Sequence, residues 1–375
     1  MDLYVPSKKF KTRPGLYFED GTVKLDGEPF AEIGINYFGA VINEYYHSER
    51  GELKTVFDRL KENNIRYFRA NIGFFYPVNL RDYINDEDKW FATFDKVVRT
   101  AEEYGFGMVF SFFWNTDGYN DYFHEPISAW GDKNSRTRKF MRYYTQKVVA
   151  RYKESPAVWM WEFGNEQNLA MDLPNRKELR EESKDKVPLQ LGLAIQHEED
   201  DFWFADIGTP LFEDFAKICH MFDPYDRMVT TGNSEPRPKA YGTRAYDMWR
   251  EEPDSIPEMI KTLEWYTPDP MDCVEIHSYG IEDRWDHSIK DYLNYYRVFL
   301  AACEKLGKPL YIGEFNGLNS EESKKQMDAI VDLRVPLSCI WAIGQVEWSL
   351  DMKPEVRDEV LAYASKCNLK LRGEA

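Results

Sequence analysis

The chain has 375 residues, 43% of them hydrophobic, and a formal net charge of −17 at pH 7. Nucleic acids and anionic membrane surfaces are bound by basic patches, and none is visible in this acidic sequence, so neither is expected as a partner. The five cysteines are widely spaced and form no CxxC pair, which excludes a disulfide framework. In chain order, the first predicted element is a β-hairpin over residues 16–30, with turns at Asp20-Gly21 and Asp26-Gly27.

After the hairpin, patterns of buried strands alternate with amphipathic helical patterns. The predicted strands cover residues 32–36, 65–69, 107–112, 158–163, 228–231, 273–277, 309–313 and 337–342. The predicted helices cover residues 52–63, 90–104, 135–152, 210–222, 289–306, 321–333 and 355–367. This alternation predicts an α/β fold, a (β/α)8 TIM barrel. Because such barrels often exceed the usual domain length, we expect one catalytic domain over residues 1–375, with residues 1–30 as an N-terminal hairpin and extension.

Two long segments follow predicted strands four and five, at residues 167–208 and 232–272. In a TIM barrel both belong to the upper face, where the catalytic residues lie, and long loops there are often functional. The first contains a charged run from Arg176 to Lys186, which by itself indicates a solvated helical face. Surface decoration without function is the alternative for both loops.

Two predicted strands end in a glutamate. The apolar run Trp159-Met-Trp-Glu-Phe-Gly-Asn-Glu166 ends strand four, and Leu310-Tyr-Ile-Gly313 is followed by Glu314 at the end of strand seven. Retaining glycoside hydrolysis uses two carboxyl groups about 5–5.5 Å apart, one as nucleophile and one as acid/base. A negative neighbour at that distance is expected to raise the pKa of the acid. A buried ion pair is the alternative role for either residue.

These motifs resemble the clan A retaining glycoside hydrolases, most closely family 5. The resemblance rests on Asn165-Glu166, Glu314, Arg69, His277-Ser-Tyr279 and Trp341, which occur in the family's order and with barrel spacing. Within the family, the segments 94–103 and 113–118 are similar to the third-strand region of endo-β-1,4-mannanases. Gln167 departs from that pattern, since a proline is common after the acid/base. The resemblance also does not account for the long loops, and an insertion near the mouth can block one end of a cleft.

The resemblance implies roles for five residues, of which Glu166 and Glu314 are catalytic. Glu314 is expected to be the nucleophile and Glu166 the acid/base. Arg69 is expected to lie beneath Glu314 as a charge partner, and Tyr279 to donate a hydrogen bond to the same carboxylate. Asn165 is expected to bind the sugar 2-hydroxyl.

The remaining site residues are predicted with an alternative beside each. His277 is expected to orient Tyr279 or a sugar hydroxyl, and a satisfied core histidine is the alternative. Trp341 is the expected platform under the reacting sugar, Trp348 replaces or extends it, and Trp114 stacks at an outer subsite. Ordinary core packing is the alternative for each tryptophan. Asn36, at the end of strand one, is a weaker candidate for substrate binding.

The sequence thus predicts a retaining β-glycosidase for β-1,4-linked, manno-configured carbohydrate, acting as an endo-mannanase or an exo-mannosidase. A β-1,4-glucanase and a non-catalytic carbohydrate-binding barrel stay open as alternatives. A barrel lyase or aldolase would need a Schiff-base lysine or a metal cluster, and neither occurs at a predicted strand end. We expect no metal and no cofactor. No oligomeric state is predicted. The start of the chain lacks a signal-peptide pattern, so a cytoplasmic location is expected unless a leader was removed.

Overall fold

A computed structural model of the protein describes residues 4–10, 12–183, 201–281, 284–285, 289–316, 318–344 and 349–374. The N-terminal strands β1 (Leu16–Glu19), β2 (Thr22–Leu25) and β3 (Glu28–Pro29) form a small antiparallel sheet. At the first turn Asp20 and Gly21 both have positive φ angles, as a two-residue hairpin turn requires. The predicted hairpin is confirmed, with β3 as a third strand.

Eight parallel strands form the nearly closed barrel that the alternation predicts. They are β4 (Glu32–Asn36), β5 (Tyr67–Asn71), β6 (Gly107–Phe113), β7 (Val158–Gly164), β8 (Val229–Thr230), β9 (Val274–Ser278), β10 (Leu310–Asn316) and β11 (Leu337–Trp341). Their order is β8-β7-β6-β5-β4-β11-β10-β9. Asp272 bridges the remaining gap, because its backbone nitrogen donates to the Val229 carbonyl at 2.9 Å and its carboxylate accepts from the Val229 nitrogen at 2.8 Å. The predicted (β/α)8 barrel is confirmed.

Helices surround the barrel and also occupy the long loops. They are α1 (Ala40–His47), α2 (Glu52–Glu62), α3 (Pro77–Asn85), α4 (Glu87–Tyr104), α5 (Asp117–Phe123), α6 (Arg136–Tyr152), α7 (Gln167–Ala170), α8 (Arg176–Ser183), α9 (Ala205–Phe222), α10 (Ala240–Tyr246), α11 (Ile256–Tyr266), α12 (Tyr292–Leu306), α13 (Ser320–Leu333) and α14 (Pro354–Arg372). The seven predicted helices correspond to α2, α4, α6, α9, α12, α13 and α14. Helices α1, α3, α5, α7 and α10 were missed, since each is too short to show a sustained periodic apolar face. Helix α8 lies in the charged run that indicates a helical face, and the longer helix α11 was missed within the loop 232–272. Among the described residues, no helix combines the length and apolarity that crossing a membrane would require.

The last helix completes the first barrel strand. The Asn368 side chain accepts from the Ile33 backbone nitrogen at 2.8 Å and donates to the Ile33 carbonyl at 2.9 Å. Strand β4 pairs with β5 only through Ile35 and Asn36, so the lower part of this edge has no strand beside it. A fully buried amide side chain therefore replaces the missing strand partner.

The N-terminal sheet closes the lower end of the barrel. Leu16, Val23 and Phe30 belong to a buried cluster with Tyr67 and Trp159 from inside the barrel. The ring of Phe30 meets the ring of Trp159 edge-on, with 5.3 Å between their centroids. Apolar side chains fill the barrel interior at this end, whereas the described residues at the upper end, where the strands finish, leave the interior open to a ligand.

Candidate active site

Glu166 and Glu314 meet across the upper end of the barrel. Glu166 directly follows β7 and starts helix α7 in a left-handed backbone conformation, with φ at 56°. Glu314 lies within β10, which continues beyond the predicted end to Asn316. One ligand atom from each of these carboxylates and one from the His277 ring all lie within 4.8 Å of one another. The two glutamates that the sequence singles out are therefore close enough to act on one bond.

Glu314 is held by two donors. Arg69 Nη1 lies 2.7 Å from Glu314 Oε1, and the Tyr279 hydroxyl donates to Glu314 Oε2. The Glu314 side chain is 4% exposed, so these contacts replace most of its hydration. A guanidinium at this distance stabilises the negative charge of the carboxylate. The structure thus contains both contacts expected for Glu314.

Arg69 connects Glu314 to the other polar groups of the site. Its guanidinium is fully buried, lies 2.8 Å from the Glu162 carboxylate and donates to Asn36 Oδ1 at 3.1 Å. It also donates to Asn165 Oδ1 at 2.9 Å. Because Arg69 engages the Asn165 amide oxygen, the amide nitrogen of Asn165 is the group available to a ligand.

His277 contacts Glu166, and its expected role in orienting Tyr279 or a sugar hydroxyl stays a prediction. His277 Nδ1 lies 2.9 Å from Glu166 Oε1 and 3.6 Å from Glu314 Oε1. Burial lowers the pKa of His277, but the charge of Glu314, the hydrogen bond with Glu166 and the nearby Glu275 carboxylate outweigh it and raise that pKa to about 10. The ring is therefore an imidazolium at neutral pH.

This imidazolium reverses the expected pKa shift of Glu166. Burial raises the pKa of Glu166, but the hydrogen bond and charge of His277, with the charge of Arg69, lower it below the ordinary value for a glutamate. The expectation of a raised pKa considered only the negative charge of Glu314. It was wrong because His277 bonds directly to Glu166, at 2.9 Å, and its charge and that of Arg69 outweigh the effect of burial.

A cavity of about 780 Å³ opens above the two glutamates. Glu166, Glu314, Asn165, Tyr279, Trp114 and Trp341 line its inner part. Its outer part is lined by residues of the segments after β4 and β5, which include helices α1 and α3, namely Phe38, Ile42, Asn43, Tyr46, His47, Phe75, Tyr76 and Asn79. Aromatic walls beside a few polar groups are typical of sites that bind sugar rings. Sequence reasoning missed the outer residues because these short helices and loops carry no motif.

The structure places two other predicted site residues next to Arg69. Asn36 is fully buried, and its amide nitrogen donates to the Gly313 carbonyl at 2.9 Å, so it supports Arg69 from below and does not reach the cavity. Trp114 lies with its ring 4.1 Å from the Arg69 guanidinium carbon and 6.2 Å from the ring of Trp341. Because Trp114 also lines the cavity, its stacking against a sugar stays a prediction. Trp348 lies outside the described residues.

The long loops after β7 and β8 are joined by hydrogen bonds. Asn168 donates to the Ser234 carbonyl at 2.8 Å and accepts from the Ser234 nitrogen at 2.9 Å. Gln167 donates weakly to the carbonyls of Phe113 and Trp114, which gives this departure from the family pattern a structural role. Among the described residues, none from 167–183, 201–208 or 232–272 lines the cavity. We therefore assign these parts of the loops a supporting role.

The atoms of Glu166, His277 and Glu314 are close enough to suit a metal ion as well as acid/base chemistry. Arg69 places a fixed positive charge 2.7 Å from Glu314, and the imidazolium of His277 adds a second one. Both oppose a further cation by Coulomb repulsion. The arrangement favours acid/base chemistry, and the absence of a metal cofactor stays a prediction.

The fold is a (β/α)8 barrel whose upper end carries two facing carboxylates, at the place where barrel enzymes have their active sites. Residues 23–348 match the family described as cellulase, glycosyl hydrolase family 5. The chain therefore belongs to glycosyl hydrolase family 5.

The comparisons also identify individual proteins that this chain resembles. A probable mannan endo-1,4-β-mannosidase F from Aspergillus oryzae is 27% identical over 169 residues, which cover 38% of this chain and 36% of that relative. The chain thus spans little more than a third of the length of this curated relative. The endo-1,4-β-mannanase of Rhizomucor miehei superposes with a TM-score of 0.64 at 14% identity, covering 94% of this chain and 99% of that one. A family 5 mannosidase from the same organism superposes with a TM-score of 0.62 at 14% identity, covering 94% of this chain and 97% of that one. At these identities the likeness to the solved structures concerns the fold.

Gly232 permits the contact that places Glu166. The Glu166 nitrogen donates to the Gly232 carbonyl at 2.7 Å, and a Cβ on Gly232 would lie 1.8 Å from the Gly164 carbonyl oxygen. We expect Gly232→Ala to displace the end of β7, to lower the free energy of unfolding by about 2–4 kcal/mol and to lower activity at least 10-fold. Urea unfolding and steady-state kinetics on a β-mannoside measure both effects.

Gly105→Ala is the matched control, because Gly105 has nearly the same φ, 77° against 76°, and open space where its Cβ would stand. Its variant should lose about 1 kcal/mol of stability and keep full activity. Equal kinetics for the two variants would contradict the role assigned to Gly232.

Proposed function

We propose that this protein is a retaining β-glycosidase that hydrolyses β-1,4-linked, manno-configured saccharides, with Glu314 as nucleophile and Glu166 as acid/base. The observation that carries the proposal is the pair of carboxylates at the barrel mouth, of which one oxygen each lies within 4.8 Å of the other. Retaining enzymes have carboxyl groups about 5–5.5 Å apart, whereas inverting enzymes need about 6.5–9.5 Å to admit a water. The short separation supports the retaining reaction.

The surroundings of the two carboxylates support different roles. Glu314 is almost fully buried and fixed by Arg69 and Tyr279, which suits a nucleophile that must stay charged and in position. The Glu166 side chain is 30% exposed and bonded to His277, which suits a group that exchanges protons with a leaving group and with water. The asymmetry separates the roles without reference to any relative.

The proposed reaction proceeds in two displacements. In the first, a Glu314 oxygen bonds to the anomeric carbon while the glycosidic bond breaks, and Glu166 gives its proton to the departing oxygen. In the second, Glu166 takes a proton from water, the water oxygen bonds to the anomeric carbon, and the Glu314 carboxylate leaves. A sugar in the cavity removes the remaining water around Glu166, and burial is the influence that raises the pKa of this residue.

The choice of substrate rests on the relatives, because the cavity residues do not distinguish mannose from glucose at C2. The relative from Aspergillus oryzae is described as a mannan endo-1,4-β-mannosidase, which supports a β-1,4-mannan substrate for this chain. The cavity extends past the carboxylates to Tyr46, Phe75 and Tyr76, which supports binding of several sugars and endo action. The family description as cellulase keeps a β-1,4-glucanase as the second candidate.

A hydrolysis screen tests the substrate. We expect turnover of mannan oligosaccharides and aryl β-mannoside to exceed turnover of cello-oligosaccharides and aryl β-glucoside by at least 10-fold in kcat/KM, measured by chromatography and by aryl alcohol release. Release of mannose alone from the chain end would indicate an exo-mannosidase. Preference for the cello-oligosaccharides would contradict the manno assignment and leave the glycosidase assignment intact.

Replacement of the nucleophile tests the double displacement. We expect Glu314→Gly to lose at least 1,000-fold in kcat on both aryl glycosides and oligosaccharides, because neither can form the covalent intermediate. NMR of the first product of the unaltered enzyme should show the β anomer. Wild-type activity of the variant, or an initial α product, would refute the assignment.

Replacement of the acid/base should depend on the leaving group. We expect Glu166→Ala to lose at least 100-fold on mannan oligosaccharides, whose leaving alcohols need a proton, and much less in the first step on activated aryl mannosides. Added azide should restore turnover of the activated substrate by replacing the base-assisted water. An equal loss on both substrate types, unaffected by azide, would exclude Glu166 as the acid/base.

A further inference from the structure

Two carboxylates inside the barrel, Glu162 and Glu275, take no part in the proposed reaction. Both are fully buried, on β7 and β9 respectively. Glu162 faces the Arg69 guanidinium at 2.8 Å, and burial raises its pKa to about 8. Glu275 stands farther from Arg69, whose Nε lies 3.8 Å from Glu275 Oε1.

Only one oxygen of Glu275 has hydrogen-bond donors. Oε2 accepts from the Gly232 nitrogen at 2.8 Å and from the Thr230 hydroxyl at 3.0 Å. These two donors favour the charged form of the carboxylate. Oε1 is buried and has no hydrogen-bond donor among the described residues. A carboxylate oxygen without a donor in the interior is costly unless a cation stands beside it.

His277 supplies that cation. Glu275 and His277 are two residues apart on β9, so their side chains point to the same face of the strand. His277 Nε2 lies 3.5 Å from Glu275 Oε1. Nε2 likewise has no other partner among the described residues. A Cβ on Gly313 of the neighbouring strand would lie 2.0 Å from Glu275 Oε1 and 2.9 Å from His277 Nε2. Glycine at this position therefore leaves the space in which the two groups meet.

The charges around His277 come from four directions. Glu275 lies below it on β9, Glu166 follows β7, Glu314 belongs to β10, and Arg69 belongs to β5. Both ring nitrogens thus face carboxylates, which requires both to carry a proton. Glu275, His277 and Glu166 are thus connected by successive contacts from the barrel interior to the cavity.

We propose that Glu275 is a positioning residue, which keeps His277 protonated and aimed at Glu166 and thereby sets the proton affinity of the acid/base. The inference rests on the proposed function for its catalytic meaning, but the contact between Glu275 and His277 does not. Without the negative charge of Glu275, His277 gives up its proton at lower pH. Glu166 then loses the cation that lowers its pKa, and burial raises that pKa.

Glu275→Gln tests the contact between Glu275 and His277 while keeping the shape of the side chain nearly unchanged. The amide oxygen of the new glutamine can still accept from Gly232 and Thr230. In kcat/KM on a mannan oligosaccharide, we expect the basic limb of the pH profile to move up by about one unit, since this limb reports the acid of the free enzyme. KM should change less than 2-fold, because Glu275 does not reach the cavity. Glu275→Asp keeps the charge and should give a limb nearer to that of the unaltered enzyme.

Glu32→Gln is the matched control. Glu32 is another buried glutamate of a barrel strand, paired with Arg66 and remote from the cavity. Its variant should be less stable but should have an unchanged pH profile. If the pH profile of kcat/KM is the same for Glu275→Gln as for the unaltered enzyme, the proposal is overturned.

Nitrogen-15 NMR of labelled histidine provides a second measurement that needs no turnover. The His277 ring, assigned by its loss in His277→Asn, should remain an imidazolium beyond pH 9 in the unaltered protein and titrate at least one unit lower in Glu275→Gln. Equal titration in both proteins would refute the Glu275 contact even if the protein cleaved mannan as expected. Conversely, the shift without any glycosidase activity would leave the contact intact and reject only the proposed function.

Discussion

The buried guanidinium of Arg69 is the interaction on which the upper end of the barrel depends. A charge placed in a barrel interior costs several kcal/mol unless carboxylates and hydrogen bonds compensate it. Here Glu162 and Glu314 supply opposite charge, and the amides of Asn36 and Asn165 supply acceptors. These partners come from three strands or their ends, β4, β7 and β10, so one side chain constrains the relative positions of all three. Moving any one partner away would leave the buried charge of Arg69 partly uncompensated.

The sequence predicts the barrel well because buried parallel strands carry a strong signal. Continuous apolar runs such as the one before Glu166 lead to the correct strands, and the two glutamates follow from their position at strand ends. Strand β8 shows the limit of this signal, since only Val229 and Thr230 pair where four residues were predicted. Its neighbour β9 is joined through Asp272, a side-chain contact that no periodicity reveals.

The electrostatics of the site could be predicted only in part. The contacts of Glu314 with Arg69 and Tyr279 follow from the family resemblance, but the partner of His277 does not, because it depends on a side-chain direction. One signal was available, since Glu162 and Glu275 are charged residues inside strands that are otherwise apolar. A charged residue in a buried strand predicts a buried partner of opposite charge or a hydrogen-bond donor. The sequence does not identify that partner, because it lies on a strand that is distant in sequence. The outer wall of the cavity is unpredictable for a similar reason, since Phe38 and Phe75 belong to different loops.

The Asn368 side chain that completes strand β4 has a consequence for the way the chain is assembled. Its partner Ile33 is 335 residues away, so the lower edge of the first barrel strand stays uncovered until the segment that contains Asn368 has been synthesised. Contacts of such large sequence separation form slowly, because the entropy of closing the intervening loop must be overcome first. During that interval the unpaired edge of β4 is open to pairing with another chain. One buried amide in helix α14 thus protects an early strand of the barrel against aggregation.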